Sequence, residues 1–318
     1  MTIQEINQSG IGFPGDCAFK VHSATLCQTD GQRICAFFAG PFEGSPDTKI
    51  YGSFSIDEEW SSPIPIADVG PEPHWNPVLH WDGQQVWLFF KVGIYPKRWR
   101  TMVSVQDRSG TWSKPKELVP GDLGGRGPVK NKMITLFNGD WLAPASLEQD
   151  SGWTCFVDRS FDRGKSWRAG KPLSINKNGK RGAGIIQPSL WESRTGHVHM
   201  LCRSDLSFIY RADSYDFGDA WTVAEPTTIP NNNRGLDLLA LFDRLILACN
   251  PISDPHAPRS PLTLFESRDN GETWQELLVL EDSPGEFSYP AIIKTKRGFT
   301  VAYTNQRNSI KIREFSQN

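Results

Sequence analysis

In this chain of 318 residues, the side chains best suited to chemistry stand where short apolar runs begin or end. Arg203 and Lys91 close the runs 198–201 and 86–90, Arg259 lies in a proline-bounded loop, and Tyr289 sits in Ser288-Tyr289-Pro290. Arginines grip a carboxylate in bidentate fashion, which lysine does less well. A phenol such as Tyr289 can attack or pass a proton, and the imidazole of His22 can donate and accept one near neutral pH. Glu43, Asp47 and Glu148 supply carboxylates for acid–base work, while Asn76, Asn131, Gln187 and Asp237 supply polar contacts. The ligand these types suit is an acidic mono- or oligosaccharide, or another small anion.

The elements that must position them are strands. Counts of 28 Gly, 23 Pro and 12 Trp make a turn-rich, aromatic-rich mix in which no helical stretch dominates. Runs at 86–90, 198–201, 245–248 and 299–303 are bounded by Gly, Asp, Asn and Pro, so they read as strands of an all-β protein. Ser-x-Asp-x-Gly-x-x-Trp recurs as Ser160-Asp162-Gly164-Trp167, Ser214-Asp216-Gly218-Trp221 and Ser267-Asp269-Gly271-Trp274. Degenerate copies keep Ser53, Asp57 and Trp60, then Asp107, Gly110 and Trp112. The tryptophans at 60, 112, 167, 221 and 274 are 52 to 55 residues apart. Asp closes such a turn through backbone amides, Gly supplies positive φ, and Trp is expected to pack the hairpin base on its own blade core.

A period near 50 with four short strands per unit specifies a β-propeller. Three further strands after Trp274, at 291–295, 299–304 and 310–315, need a fourth, and residues 2–7 can supply it. The expectation is one domain over 1–318: six blades closed by the N-terminal strand, which removes an open sheet edge. If each repeated turn joins strands three and four on one face, the other face collects the starts of first strands and the ends of second strands. First-strand starts give His22, Asn76, Asn131 with Lys132, Gln187, Asp237 and Tyr289; second-strand ends give Glu43, Lys91, Glu148, Arg203, Asn250 and Tyr303. Loops add Asp47, Arg100 and Arg259, with Arg126 and Arg307 nearby.

The repeat is that of the Asp-box, or BNR, proteins, and the chain resembles BNR-repeat-like members of the sialidase superfamily over nearly its whole length. The shared stretches are HSAT at His22, HWNP at His74, NKMI at Asn131, QPSL at Gln187, NNN at Asn231, RSPL at Arg259 and YPAI at Tyr289. Sialidases hold the substrate carboxylate with an arginine triad and use a tyrosine nucleophile, a glutamate that activates it and an aspartate acid/base. The resemblance implies that Arg203 and Arg259 are two of the arginines and that Tyr289 is the nucleophile. The region around His22 replaces the first arginine, Gln187 stands where the glutamate is expected, and Glu43 and Asp47 are the carboxylates nearest the acid/base place.

The leading reading is a sialidase-like exo-glycosidase acting on a carboxylate-bearing sugar. Tyr289, His22, Glu43, Asp47 and Glu148 would be catalytic; Arg203, Arg259, Lys91, Asn76, Asn131, Gln187 and Asp237 would bind substrate. The alternatives are a lyase that eliminates across a uronic acid, and a non-catalytic sugar-binding propeller using Trp75 or Trp153 as a stacking platform. His74 and His256 stand near the mouth, whereas His80, His197 and His199 read as packing residues. Net charge of -2 and no basic tail argue against nucleic acid, and no run approaches the roughly 18 apolar residues of a membrane helix. No metal-ligand spacing or phosphate loop is present, so no cofactor is expected, and 121–127 reads as a flexible connection. MTIQEINQSG carries no secretory pattern, and six scattered cysteines read as reduced, buried thiols of a cytoplasmic protein.

Overall fold

A computed structural model describes residues 3–15, 18–56, 59–231, 233–254 and 256–317. Thr2, Cys17, Asp57 and Asn232, invoked above, lie outside the described residues. Six antiparallel sheets follow one another around an axis. Blade 1 holds Lys20–Gln28, Arg33–Gly40, Lys49–Ile56 and Glu59–Trp60, with Ile64–Ala67 also pairing on its third strand. Blades 2 to 5 begin at His74–Trp81, Ile134–Thr135, Ile185–Arg194 and Asp237–Ala240. Blade 6 holds Phe287–Lys294, Gly298–Asn305 and Ser309–Gln317, and Ile3–Ile11 adds its outer strand, pairing Ile3 with Gln317 and Ile11 with Ile310. Closure by the N-terminal strand, expected from strand counting, is therefore the observed topology.

Period-2 alternation explains why the second strands are apolar throughout. In Arg33–Gly40, Ile34, Ala36 and Phe38 face blade 2, while Cys35, Phe37 and Ala39 face blade 6. In Leu245–Cys249, Leu245, Leu247 and Cys249 pack on blade 4, and Ile246 and Ala248 on blade 6. The core thus lies in the seams between neighbouring blades, and each fully buried Leu, Ile or Phe contributes roughly 1.5–3 kcal/mol there.

The repeated turn pins these seams on the face opposite the mouth. In each full copy the Ser hydroxyl accepts the Gly amide and donates to Asp: Ser160 Oγ lies 2.7 Å from Gly164 N and 2.9 Å from Asp162 Oδ1, and the copies at 214 and 267 match. Asp162, Asp216 and Asp269 each accept the amide four residues on. Gly164, Gly218 and Gly271 take φ near +85°, where only glycine is unstrained (83°, 86° and 83°). The tryptophans pack on their own blade's core, as expected above, and on the blade before it as well. Trp167, Trp221 and Trp274 lie in the seam with the preceding blade, because the turn projects sideways from the blade's outer edge. Among the described residues the only helix is a 3-10 turn, Pro96–Arg98, and no helix is long and apolar enough to cross a membrane.

Candidate functional site

The mouth end of the first strand carries one local device in four blades. Its ladder shifts register between His22 and Thr25, Trp75 and Val78, Ile186 and Ser189, and Ser288 and Ala291. Inside the shifts Ser23, Asn76, Gln187 and Tyr289 adopt φ of 59°, 43°, 52° and 53°. A non-glycine residue held there costs of order 1–3 kcal/mol, and a bulge re-aims its side chain. For Tyr289 the new direction is toward the axis, where its ring meets His22 of blade 1 at 4.2 Å between centroids and Arg203 of blade 4 at 5.6 Å.

Arg203 is the hub. Its Nη1 donates to Tyr289 OH at 2.7 Å and to Gln187 Oε1 at 2.8 Å, and its Nε donates to Asn233 Oδ1 at 2.8 Å. Nη2 has no partner among the described residues, which leaves a free donor. Arg259 lies 5.7 Å from the Tyr289 ring centre and donates to Glu286 Oε1 at 3.1 Å. Arg307 donates to Glu286 Oε2 at 2.9 Å and also pairs with Glu43. Burial pushes the Glu286 carboxyl up, but the bond from Arg307 and the charge of Arg259 outweigh it and hold it below the usual range. His22 is 2% exposed, and Thr304 Oγ1 lies 3.0 Å from its Nδ1. Burial first, then Arg307, Arg259, Arg203 and Lys130, drive its pKa well below the ordinary value, so the ring is neutral at physiological pH. Glu148 faces the hub from blade 3 without a hydrogen-bond partner among the described residues. Burial raises its pKa, partly offset by Arg203 and Lys91, which suits a proton donor. The buried Asn76 side chain likewise makes no hydrogen bond to the described residues.

Other expected site residues are engaged elsewhere. Lys91 is 1% exposed, and its ammonium meets Thr101 Oγ1 at 2.7 Å, the Arg126 carbonyl at 2.8 Å and those of Gly125 and Gly127 at 3.4 Å. The loop 121–127, expected to be flexible, is thus an ordered cradle for that ammonium, and Gly127 also donates to Asp158. A Cβ on Gly127 would come within 2.3 Å of Leu118 Cδ2. Asp237 is buried with both oxygens occupied: Ser189 Oγ and Leu238 N on one, Lys132 Nζ and Ile292 N on the other, at 2.8–2.9 Å. It ties blades 3 to 6 together. Asn131 donates to the carbonyls of Gln187 and Pro188 at 2.9 and 3.1 Å, so it holds the Gln187 bulge.

Asp47 is exposed in its loop and takes no part in the Arg203 network. Tyr303 points into the seam of blades 5 and 6 and donates to Glu281 at 2.6 Å, because its place in the strand alternation faces the core. Asn250 bonds the carbonyls of Arg259, Pro261 and Phe287. Arg126 faces Asp158, and Arg100 pairs with Glu72 and Glu117. Trp75 spends its indole N–H on Gly93 at 2.8 Å, and His74 is tied to Val69 N and Glu72 O.

Two residues at the centre escaped the strand-end reading. Glu286 immediately precedes the first strand of blade 6, and its place between Arg259 and Arg307 is visible only in three dimensions. Lys130, with φ of 66°, holds the central position one residue before Asn131; its buried ammonium meets the Leu236 and Pro290 carbonyls, and burial pushes its pKa down to about 7. Among the described residues no group of three His, Cys, Asp or Glu is arranged to hold a metal ion.

Among solved structures, a protein of unknown function from Dyadobacter fermentans superposes with TM-score 0.79 at 15% identity, covering 99% of each chain. Trypanosoma rangeli sialidase with the inhibitor DANA gives 0.77 at 14%, covering 98% of this chain and 59% of that one. The K499G mutant of NanB sialidase from Streptococcus pneumoniae gives 0.72 at 12%, covering 100% and 71%. At such identities the likeness is one of fold, a sialidase-type propeller. A comparison with curated proteins finds no match. The model of the BNR repeat-like domain matches residues 31–301, and this chain therefore belongs to the BNR repeat-like family.

Proposed function

We propose that the mouth cleaves the glycosidic bond of a carboxylate-bearing sugar. The observation that carries this reading is Arg203, which donates to Tyr289 OH and keeps Nη2 free beside the Arg259 and Arg307 guanidiniums. Those donors suit a substrate carboxylate, and fold neighbours that include a sialidase solved with sialic acid support a sugar ligand. Tyr289 attacks the anomeric carbon while neutral His22 takes the phenolic proton and Glu148 delivers its proton to the leaving oxygen. Water then frees the sugar, giving one proton to Glu148, and His22 returns its proton to Tyr289. The Arg203 contact strengthens as charge develops on the phenol oxygen.

Gln187 cannot act as the base expected in a sialidase, and neutral His22 beside Tyr289 favours elimination as the second reading. One assay separates them. An aryl glycoside of a sugar acid should release phenol and reducing sugar, with turnover falling about 10²–10⁴-fold in Tyr289→Phe. A uronate oligosaccharide yielding an unsaturated product instead would establish elimination. Binding without either product would leave a sugar-binding propeller.

A further inference from the structure

A second constellation lies at the far end of blade 4, on the face of the repeated turns. Ser193 is the extra residue of a β-bulge: Glu192 pairs with Val198 and Arg194 with His197, so Ser193 is left out of the ladder and exposed. Its hydroxyl lies 2.7 Å from His199 Nε2. His199, 4% exposed, holds Nδ1 2.6 Å from Asp213 Oδ1, and Trp191 stacks on the imidazole at 4.8 Å.

The neighbours fix the tautomer. The Trp191 indole can only donate, and it donates to Asn270 Oδ1 at 2.8 Å. The Asn270 amide therefore turns its NH₂ toward His199 Nε2, 3.2 Å away, and that nitrogen must accept. The proton then sits on Nδ1 and is donated to Asp213. Arg211 Nη2 also lies near Nδ1, but at 3.5 Å against 2.6 Å for the carboxylate, so the carboxylate contact decides. Arg211 Nε, 3.0 Å from Asp213 Oδ1, supports the ionised carboxylate. Nucleophile, unprotonated base nitrogen and orienting carboxylate stand in hydrogen-bonding order, and such triads are recognised by geometry and role rather than by sequence order.

Ser193 also borders a cavity of about 750 Å³ lined by Trp191, Leu241 and the exposed Phe137 and Phe242, with the charged Glu192, Arg194, Asp243, Arg244 and Arg268 on its wall. The Arg194 side chain has no partner among the described residues. Arg244 and Arg268 are paired with Asp243 and Glu266, so the Arg194 guanidinium beside the apolar residues is the charge that suits an ester carbonyl whose oxygen becomes negative.

We propose that Ser193, His199 and Asp213 form a serine-hydrolase site for carboxylic esters with an apolar acyl group. Ser193 Oγ attacks the carbonyl carbon as its proton passes to His199 Nε2. The C–O bond of the ester breaks and the alcohol leaves with that proton. Water then attacks the acyl-serine, gives a proton to Nε2, and the carboxylic acid departs as Ser193 recovers its hydrogen. The site is independent of the mouth, whose residues lie at the opposite end of the same strand.

The test is labelling by a fluorophosphonate, read by peptide mass, together with hydrolysis of p-nitrophenyl butyrate. The site predicts a phosphonyl adduct on Ser193, and ester turnover falling about 10²–10⁴-fold in both Ser193→Ala and His199→Gln. Because Ser193 is exposed, Ser193→Ala should keep the parental melting temperature, which separates lost chemistry from lost folding. A parent without an adduct on Ser193, or a Ser193→Ala protein with parental ester turnover, overturns the proposal.

Discussion

Arg203 and Lys91 occupy matching places, the mouth ends of second strands in blades 4 and 2, yet their donors meet different fates. Lys91 is enclosed by the 125–127 carbonyls and the Thr101 hydroxyl, while Arg203 divides its donors between neighbours and the open centre. The same contrast extends to their surroundings. Lys132 of blade 3 and the buried Asp237 of blade 5 satisfy one another and the backbone, whereas around Arg203 the guanidiniums of Arg203, Arg234, Arg259 and Arg307 outnumber the carboxylates of Glu43, Glu148 and Glu286. What makes a mouth residue available to a ligand is thus its unsatisfied donors, not its place in the repeat.

Four perturbations sharpen or break that contrast. The largest effect is expected at the open side: Tyr289→Phe should lower sugar-acid turnover about 10²–10⁴-fold with the melting temperature nearly unchanged. At the closed side, Asp237→Ala should act in the opposite way. It leaves Lys132 without its buried partner, and unfolding experiments should register a loss of about 3–5 kcal/mol. Should that variant stay fully stable yet lose substrate affinity, Asp237 would belong with the ligand groups.

Protonation probes the buried histidines. Burial holds His80 down to about 4, only partly opposed by Asp82, and His22 lies well below its ordinary value. The unfolded chain therefore binds protons that the native state refuses. Stability is retained above about pH 6.5 and lost as pH falls toward 4, by on the order of 3 kcal/mol from His80. Urea midpoints across that window should decline, and less so in His80→Gln. The smallest effect is expected for Lys91→Met. Its loss takes the ammonium donor from the Gly125 and Gly127 carbonyls, while the Thr101 hydroxyl still donates to the Arg126 carbonyl, at about 1–3 kcal/mol in chemical denaturation, with sugar-acid KM within twofold of the parent. A large rise in KM would return Lys91 to the binding site.

The fold was legible because repetition amplifies weak signals. One Ser-x-Asp-x-Gly-x-x-Trp is a turn, while recurrence every 52 to 55 residues specifies blades, and strand counting called for the N-terminal strand. Part of the mouth was legible for the same reason: His22, Gln187, Arg203 and Tyr289 converge from strand ends. Three kinds of detail were not. The inward turn of Tyr289 depends on a bulge, which a strand pattern does not reveal. Tyr303 and Lys130 differ from expectation by one step of alternation or one residue, enough to exchange core for centre. Glu286 and the Ser193–His199–Asp213 order arise from contacts between segments without sequence periodicity.

The central claim, that the open guanidiniums around Arg203 hold a carboxylate, is tested most directly by calorimetric titration. Tyr289→Phe protein, which should bind without turnover, would receive a sugar acid and the neutral sugar bearing a hydroxymethyl group in place of the carboxylate. A charge-assisted contact is worth about 1.5–3 kcal/mol, so the acid should bind roughly 10- to 150-fold more tightly, and Arg203→Ala in the same background should remove the preference. Equal affinity for acid and neutral sugar, or a preference that survives Arg203→Ala, would contradict the account.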